Sequence, residues 1–417
     1  MASDTAHSLP RPVAAATETQ VLVAVSAAHL VSHFYIMVLP VLLPLLKDRM
    51  HVGFFELGLA LTTFNVVTGL TQAPMGVLVD RVGARPVLIA GLILGGVAFA
   101  SLGFSNSYTW LLVAAVFAGL ANCVYHPADY AILADSISEG RVGRAFSVHT
   151  FAGFLGGAIA PVTLLALAAY GGTGMSLVCA GLVGPAVAVA LLLMPAHQAS
   201  EPHHKAHAGG KSGGGVGAGL AGVLTPPVLA MTGFFTLLAL ANSAINSFSV
   251  VALMATQGIS FAAANVALTA YLAASAVGVL LGGWLADRTS RHGNVAALGF
   301  GLAAAIMTLV ATLTLSVAAL VLAMGFAGII FGMIQPSRDM LVRRAAPPGA
   351  AGRVFGIVST GFNIGGVVGP LLFGWLMDQG APRAIFGAAV VFMAATAVLG
   401  VLEERRPSRR ALQGGKP

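Results

Sequence analysis

Apolar residues dominate this chain in long runs, and most polar residues are confined to the short gaps between them. A helix rises 1.5 Å per residue, so about 20 apolar residues cross a hydrocarbon core of about 30 Å, and a helix satisfies its own backbone groups there. The runs fall at about 20–46, 55–79, 86–105, 109–134, 144–170, 174–194, 226–254, 261–286, 294–315, 317–342, 353–377 and 382–402. This pattern predicts an all-α integral membrane protein with twelve transmembrane helices.

Composition agrees. The chain is 57% hydrophobic and 8% charged, against roughly 25% charged in soluble domains. Its net charge of +7 sits in loops between apolar runs, where it sets topology rather than marking a nucleic-acid partner. If both termini and the central linker are cytoplasmic, that side holds Arg81, Arg85, Arg141, Arg144, Arg288, Arg291, Arg343, Arg344 and the Arg405–Lys416 tail, leaving Lys47, Arg49 and Arg383 opposite. The positive-inside rule therefore predicts cytoplasmic termini, and the expected location is a bacterial-type inner membrane. The polar first 18 residues do not resemble a cleavable signal peptide, so the first span is expected to direct insertion. Cys123 and Cys179 both lie in spans and form neither a disulfide framework nor a metal-type spacing.

The chain also repeats itself. Gly76-Val77-Leu78-Val79-Asp80-Arg81 returns as Gly283-Trp284-Leu285-Ala286-Asp287-Arg288, and Gly143-Arg144-Ala145-Phe146 as Gly352-Arg353-Val354-Phe355. Gly156-Gly157 and Pro161 return as Gly365-Gly366 and Pro370. The repeat predicts two pseudo-symmetric six-helix halves, 1–195 and 225–403, joined by a His/Gly-rich cytoplasmic linker at 196–224 and followed by a basic tail at 404–417. The linker histidines His197, His203, His204 and His207 lack a folded scaffold, and no metal site is expected there.

Two six-helix halves with Gly76-x-Leu78-x-Asp80-Arg81-x-Gly83-x-Arg85 after the second span resemble the major facilitator superfamily. Within it, His29-x-x-x-His33-Phe34-Tyr35 with Leu39-Pro40-x-Leu42-Leu43-Pro44, Tyr125-His126-Pro127-x-Asp129 and Gly143-Arg144-Ala145-Phe146-Ser147-x-His149 resemble the fosmidomycin-resistance efflux family. Two motifs depart from the superfamily's drug antiporters: Ala115 stands where an arginine often precedes Gly119, and Ala160-Pro161 replaces Gly-Pro in span five. The resemblance implies a midplane cavity lined by spans 1, 4, 7 and 10, and alternating access by rocking of the halves. It also implies that Asp80, Arg81, Arg85, Asp287 and Arg288 gate the cytoplasmic side, in charge clusters.

Polar residues on those spans include His29, His33, His126, Asp129, Asn242, Asn246, Gln335 and Arg338. Ionisable groups inside a membrane are costly and face a cavity or a partner. Asp129 and His126, three apart on one helical face, are suited to carry a proton; alternatively Asp129 pairs with Arg338 or bonds His126 to hold the halves in register. Arg338 offers a planar fork for phosphonate or carboxylate oxygens, unless it is bound by Asp339 or Asp129. Gln335, Asn242, Asn246, His29, His33, Tyr35 and His149 are expected to contact substrate with it. No Walker loop, nucleophile triad or cofactor fingerprint is present, so neither enzyme activity nor a cofactor is expected. The sequence thus predicts a monomeric, proton-coupled exporter of a small anionic or zwitterionic compound. A symporter importing an organic anion would use the same cavity, and a membrane sensor would need a signalling domain that is not visible.

Overall fold

The computed structural model describes residues 15–138, 140–194, 225–345 and 351–405; the predicted linker at 196–224 and the tail from 406 lie outside them. The described residues form eleven helices and no strand. They are α1 (Ala15–Met50), α2 (Phe54–Val82), α3 (Ala84–Leu102), α4 (Tyr108–Ser136), α5 (Val142–Leu193), α6 (Pro226–Gln257), α7 (Phe261–Ala286), α8 (His292–Thr312), α9 (Val317–Ala345), α10 (Ala351–Asp378) and α11 (Pro382–Arg405). Each is long and apolar enough to cross a membrane.

The count differs from the twelve predicted because the fifth and sixth expected spans run together as α5. Its 52 residues would reach about 78 Å if straight, more than twice the hydrocarbon thickness. Gly172 breaks the run with φ 79° and ψ 173°, a backbone conformation open essentially to glycine alone. Beyond the break the chain turns back: the Ser176 hydroxyl donates to the Leu164 carbonyl at 2.9 Å, although a straight helix would hold residues twelve apart at about 18 Å.

Helix pairing follows a recurring scheme. Helix α1 packs on α5, α2 on α4, and α3 on both α4 and α5; farther along, α6 packs on α10, α7 on α9, and α8 on both α9 and α11. Small residues set these distances. A Cβ at Gly156 of α5 would strike the Leu30 carbonyl of α1, and one at Gly328 of α9 would strike the Tyr271 carbonyl of α7.

Between the two groups of helices the principal seam is α2 against α10, with α5 against α7. At one end of the α2–α10 seam the Asp378 carboxylate accepts from the Phe54 and Phe55 amides at 2.9 and 2.7 Å, capping α2 from the other group. Farther along, Gly58 lies under the Pro370 carbonyl, Thr62 donates to the Val367 carbonyl and Asn65 to the Gly366 carbonyl, both at 2.8 Å. Gly69 still faces Asn363, but a Cβ at Gly76 would meet nothing within 4 Å. The helices therefore meet at the Phe54/Asp378 end and part toward the end that carries Arg81 and Arg85.

Among the described residues, the expected charge clusters at that parted end make no ion pairs. The Arg85 guanidinium donates instead to the Leu191 and Met194 carbonyls, closing the C-terminus of α5, where a cation complements the helix dipole. Arg288 lies 4.2 Å over the Trp284 ring. Asp80, Arg81 and Asp287 make no ion pair among the described residues.

Overpacking a tight contact costs about 1–3 kcal/mol. Gly156→Val should therefore lower the thermal midpoint of the purified protein in detergent, whereas Gly76→Val, whose Cβ enters open space, should leave it within error.

Candidate substrate cavity

Three helices bring one cluster together. On α1, His29 and His33 are one turn apart; on α4, Asp129 follows His126 by three residues; on α5, His149 precedes Gly153 by four. Spacings of three or four place each pair on one helical face. Gly153 supplies the room, because a Cβ there would sit 2.7 Å from the His29 ring and 2.9 Å from that of His33. The α1–α5 contact is thus what seats both imidazoles against α4.

Asp129 is completely buried. Its Oδ2 accepts from His149 Nε2 at 3.1 Å and lies 3.5 Å from His29 Nδ1. Its Oδ1, also buried, has no hydrogen-bond partner, and neither does His29 Nδ1. The His29 and His149 rings stack at 3.8 Å with 20° between their planes. His33 and His126 approach the His29 ring at 4.7 and 5.3 Å, but His126 is exposed and His33 half-buried. Asp129, His149 and His29 are therefore the interior of the cluster, and His126 and His33 are its rim. The alternative in which Asp129 bonds His126 is not realised: the hydrogen bond goes to His149, twenty residues on.

Arg338 is also not the partner of Asp129. Its Nε and Nη2 donate to Asp339 Oδ1 at 2.9 and 2.7 Å, the nearest carboxylate in sequence. The guanidinium carbon rests 5.0 Å from the Phe235 ring of α6 and 5.5 Å from the Phe362 ring of α10, and these two rings meet edge to face at 4.8 Å. Such an aromatic floor attracts a cation by about 0.5–2 kcal/mol. The Arg338 side chain is 14% exposed and that of Asp339 49%, so the pair presents one edge outward. Sequence reasoning missed Phe235 and Phe362, because an apolar ring in an apolar helix carries no signal of its own.

Asn242 and Asn246 lie one turn apart on α6, half-buried, with their amide oxygens unpartnered; Gln335 on α9 is likewise half-buried. A cleft of about 320 Å³ runs between α5 and the α7–α9 pair, lined by Ser147, Thr150, Phe154, Val279, Gly283 and Pro336. Tyr35 departs from expectation. It is 3% exposed, its hydroxyl donates to the Gly181 carbonyl at 3.1 Å and accepts from the Gly184 amide at 2.9 Å, and Phe99 packs on its ring. It fastens α1 to the second arm of α5 and is not placed to touch a ligand. Tyr35→Phe should cost about 1–3 kcal/mol of stability, the price of a buried amide left unpaired, and leave ligand affinity unchanged by titration of the purified protein.

Comparison with known proteins agrees with this architecture. The family model of the Major Facilitator Superfamily matches residues 25–251 and 232–417. An uncharacterized MFS-type transporter, YfnC of Bacillus subtilis (strain 168), is 27% identical over 398 residues, covering 94% of each chain. The fosmidomycin resistance protein of Escherichia coli (strain K12) is 25% identical over 298 residues, 68% of this chain and 70% of its own. Among solved structures, a bacterial homologue of the human lysosomal transporter Spinster, inward-facing and unoccupied, superposes with a TM-score of 0.78 at 17% identity, covering 94% of this chain and 98% of that one. A multi-pass helical membrane protein, matched along its length by one family, belongs to the Major Facilitator Superfamily, a family of transporters rather than enzymes.

Proposed function

We propose that this protein is a proton-coupled antiporter that exports a small anionic or zwitterionic compound, of the fosmidomycin-like phosphonate class, by alternating access. The observation that carries the reading is Arg338, a guanidinium seated on Phe235 and Phe362 and held by Asp339 at one edge only. A phosphonate or carboxylate matches the planar fork as the Asp339 carboxylate does, so substrate binding is an exchange of one anion for another. On the opposite wall, Asp129 with His149 and His29 holds the proton that moves the other way, and His126 lies between this cluster and the open cavity. Asn242, Asn246, Gln335 and His33 supply the remaining polar contacts.

The scaffold of this reading is the twelve-span, two-half arrangement. The break at Gly172 in α5 and the recurrence of the first group's helix pairs in the second support a reading of six spans in 1–195 and six in 225–403. Basic loops at the parted end support assigning that end, and both termini, to the cytoplasmic side of an inner membrane. The cavity then opens to the cytoplasm, the side from which an exporter loads. Outward opening separates Asp378 from the α2 amides while Asp80, Arg81, Asp287 and Arg288 close the other end.

Proteoliposomes carrying a luminal pH dye, given fosmidomycin and a panel of small phosphonates and carboxylates outside, test the proposal. Antiport releases luminal protons as substrate enters, and Asp129→Asn should abolish that signal while substrate still binds. Proton entry together with substrate would reverse the reading to symport, and binding without flux would make the protein a sensor. Arg338→Gln removes a charge-assisted hydrogen bond worth about 1.5–3 kcal/mol and should weaken substrate binding roughly 10- to 150-fold. Asp339→Asn, which weakens the internal competitor, should tighten it.

A further inference from the structure

The cluster around Asp129 carries more than a hydrogen-bonded acid. A carboxylate paired with one histidine would account for the 3.1 Å contact to His149. It does not account for His29, whose Nδ1 converges on the same oxygen at 3.5 Å with no hydrogen bond of its own, nor for the buried, unpartnered Asp129 Oδ1. We propose that His29, Asp129 and His149 form a binding site for one divalent transition-metal ion of the zinc class, reached from the cavity past His126. This inference uses the same cluster as the transport reading, and there the ion and the proton compete for Asp129; it does not rest on the direction of transport.

Donor chemistry and spacing both favour it. Two imidazole nitrogens and one carboxylate oxygen suit zinc, cobalt or nickel, whereas calcium and magnesium take oxygen ligands. One donor atom from each residue lies within 4.8 Å of the other two. A tetrahedral ion with bonds of about 2.0–2.1 Å wants its donors roughly 3.4 Å apart, and the two measured separations from Asp129 Oδ2 bracket that value. The three residues are almost wholly buried and come from three different helices, so each donor is anchored separately. One carboxylate also offsets half the charge of the ion. The fourth position falls to the rim, where the His126 and His33 rings stand 5.3 and 4.7 Å from His29.

The test is equilibrium binding of Zn²⁺ to the purified full-length protein, measured by competition with a chromophoric chelator, and the visible spectrum of the Co²⁺-loaded protein. The expected result is one Zn²⁺ per chain and the intense visible bands of tetrahedral cobalt. Losing a first ligand should cost more than the ten- to hundredfold typical of an outer partner, so His149→Gln and Asp129→Asn should each weaken binding by at least that. Replacing His197, His203, His204 and His207 of the linker together by Gln, or Arg338 by Gln, should leave the site intact. No stoichiometric ion, an octahedral cobalt spectrum, or loss of the ion with the linker variant would overturn the proposal. If a site variant does not fold, the wild-type cobalt spectrum and the linker variant decide it. The liposome assay run with chelator tests transport with no metal present, so either reading can fail alone.

Discussion

Hydrocarbon offers no hydrogen bonds, and that constraint organises this molecule from end to end. Every backbone group inside the bilayer must be satisfied within its own segment, which makes each crossing a helix and confines charge to helix ends or to protein-lined space. The exceptions are few. Asp129 and Arg338 are ionisable groups well inside apolar helices, and each is met by protein: Asp129 by histidines, Arg338 by Asp339 and two phenyl rings.

Close approach of the helices follows from glycine. Where Gly156 meets Leu30 and Gly153 meets the His29 and His33 rings, α1 and α5 come near enough for side chains on three helices to converge on one carboxylate. The cluster is thus a product of packing. The same logic governs the seam between the two helix groups, where Gly58 and Asp378 hold one end shut and an absence of contact at Gly76 leaves the other apart.

The two polar walls differ in kind. On one side a carboxylate lies beneath imidazoles with only its rim exposed; on the other an arginine already bound to a carboxylate lies on an aromatic floor.

The sequence by itself determined the class of fold, since runs of apolar residues longer than a bilayer is thick admit only membrane helices, and its repeated Gly-x-Leu-x-Asp-Arg segment pointed to the family. It also named the unusual residues, because an aspartate or arginine inside such a run is conspicuous. Only the tertiary structure decided their partners. His149 rather than His126 bonds Asp129, Asp339 rather than Asp129 bonds Arg338, Tyr35 fastens α5 instead of facing the cavity, and Arg85 closes a helix end instead of joining Asp80. The physical reason is common to all four. Helical spacing fixes which side chains share a face, but which face meets which neighbour depends on how closely two helices can approach, and that is set by glycines and rings whose contribution exists only once the helices are packed.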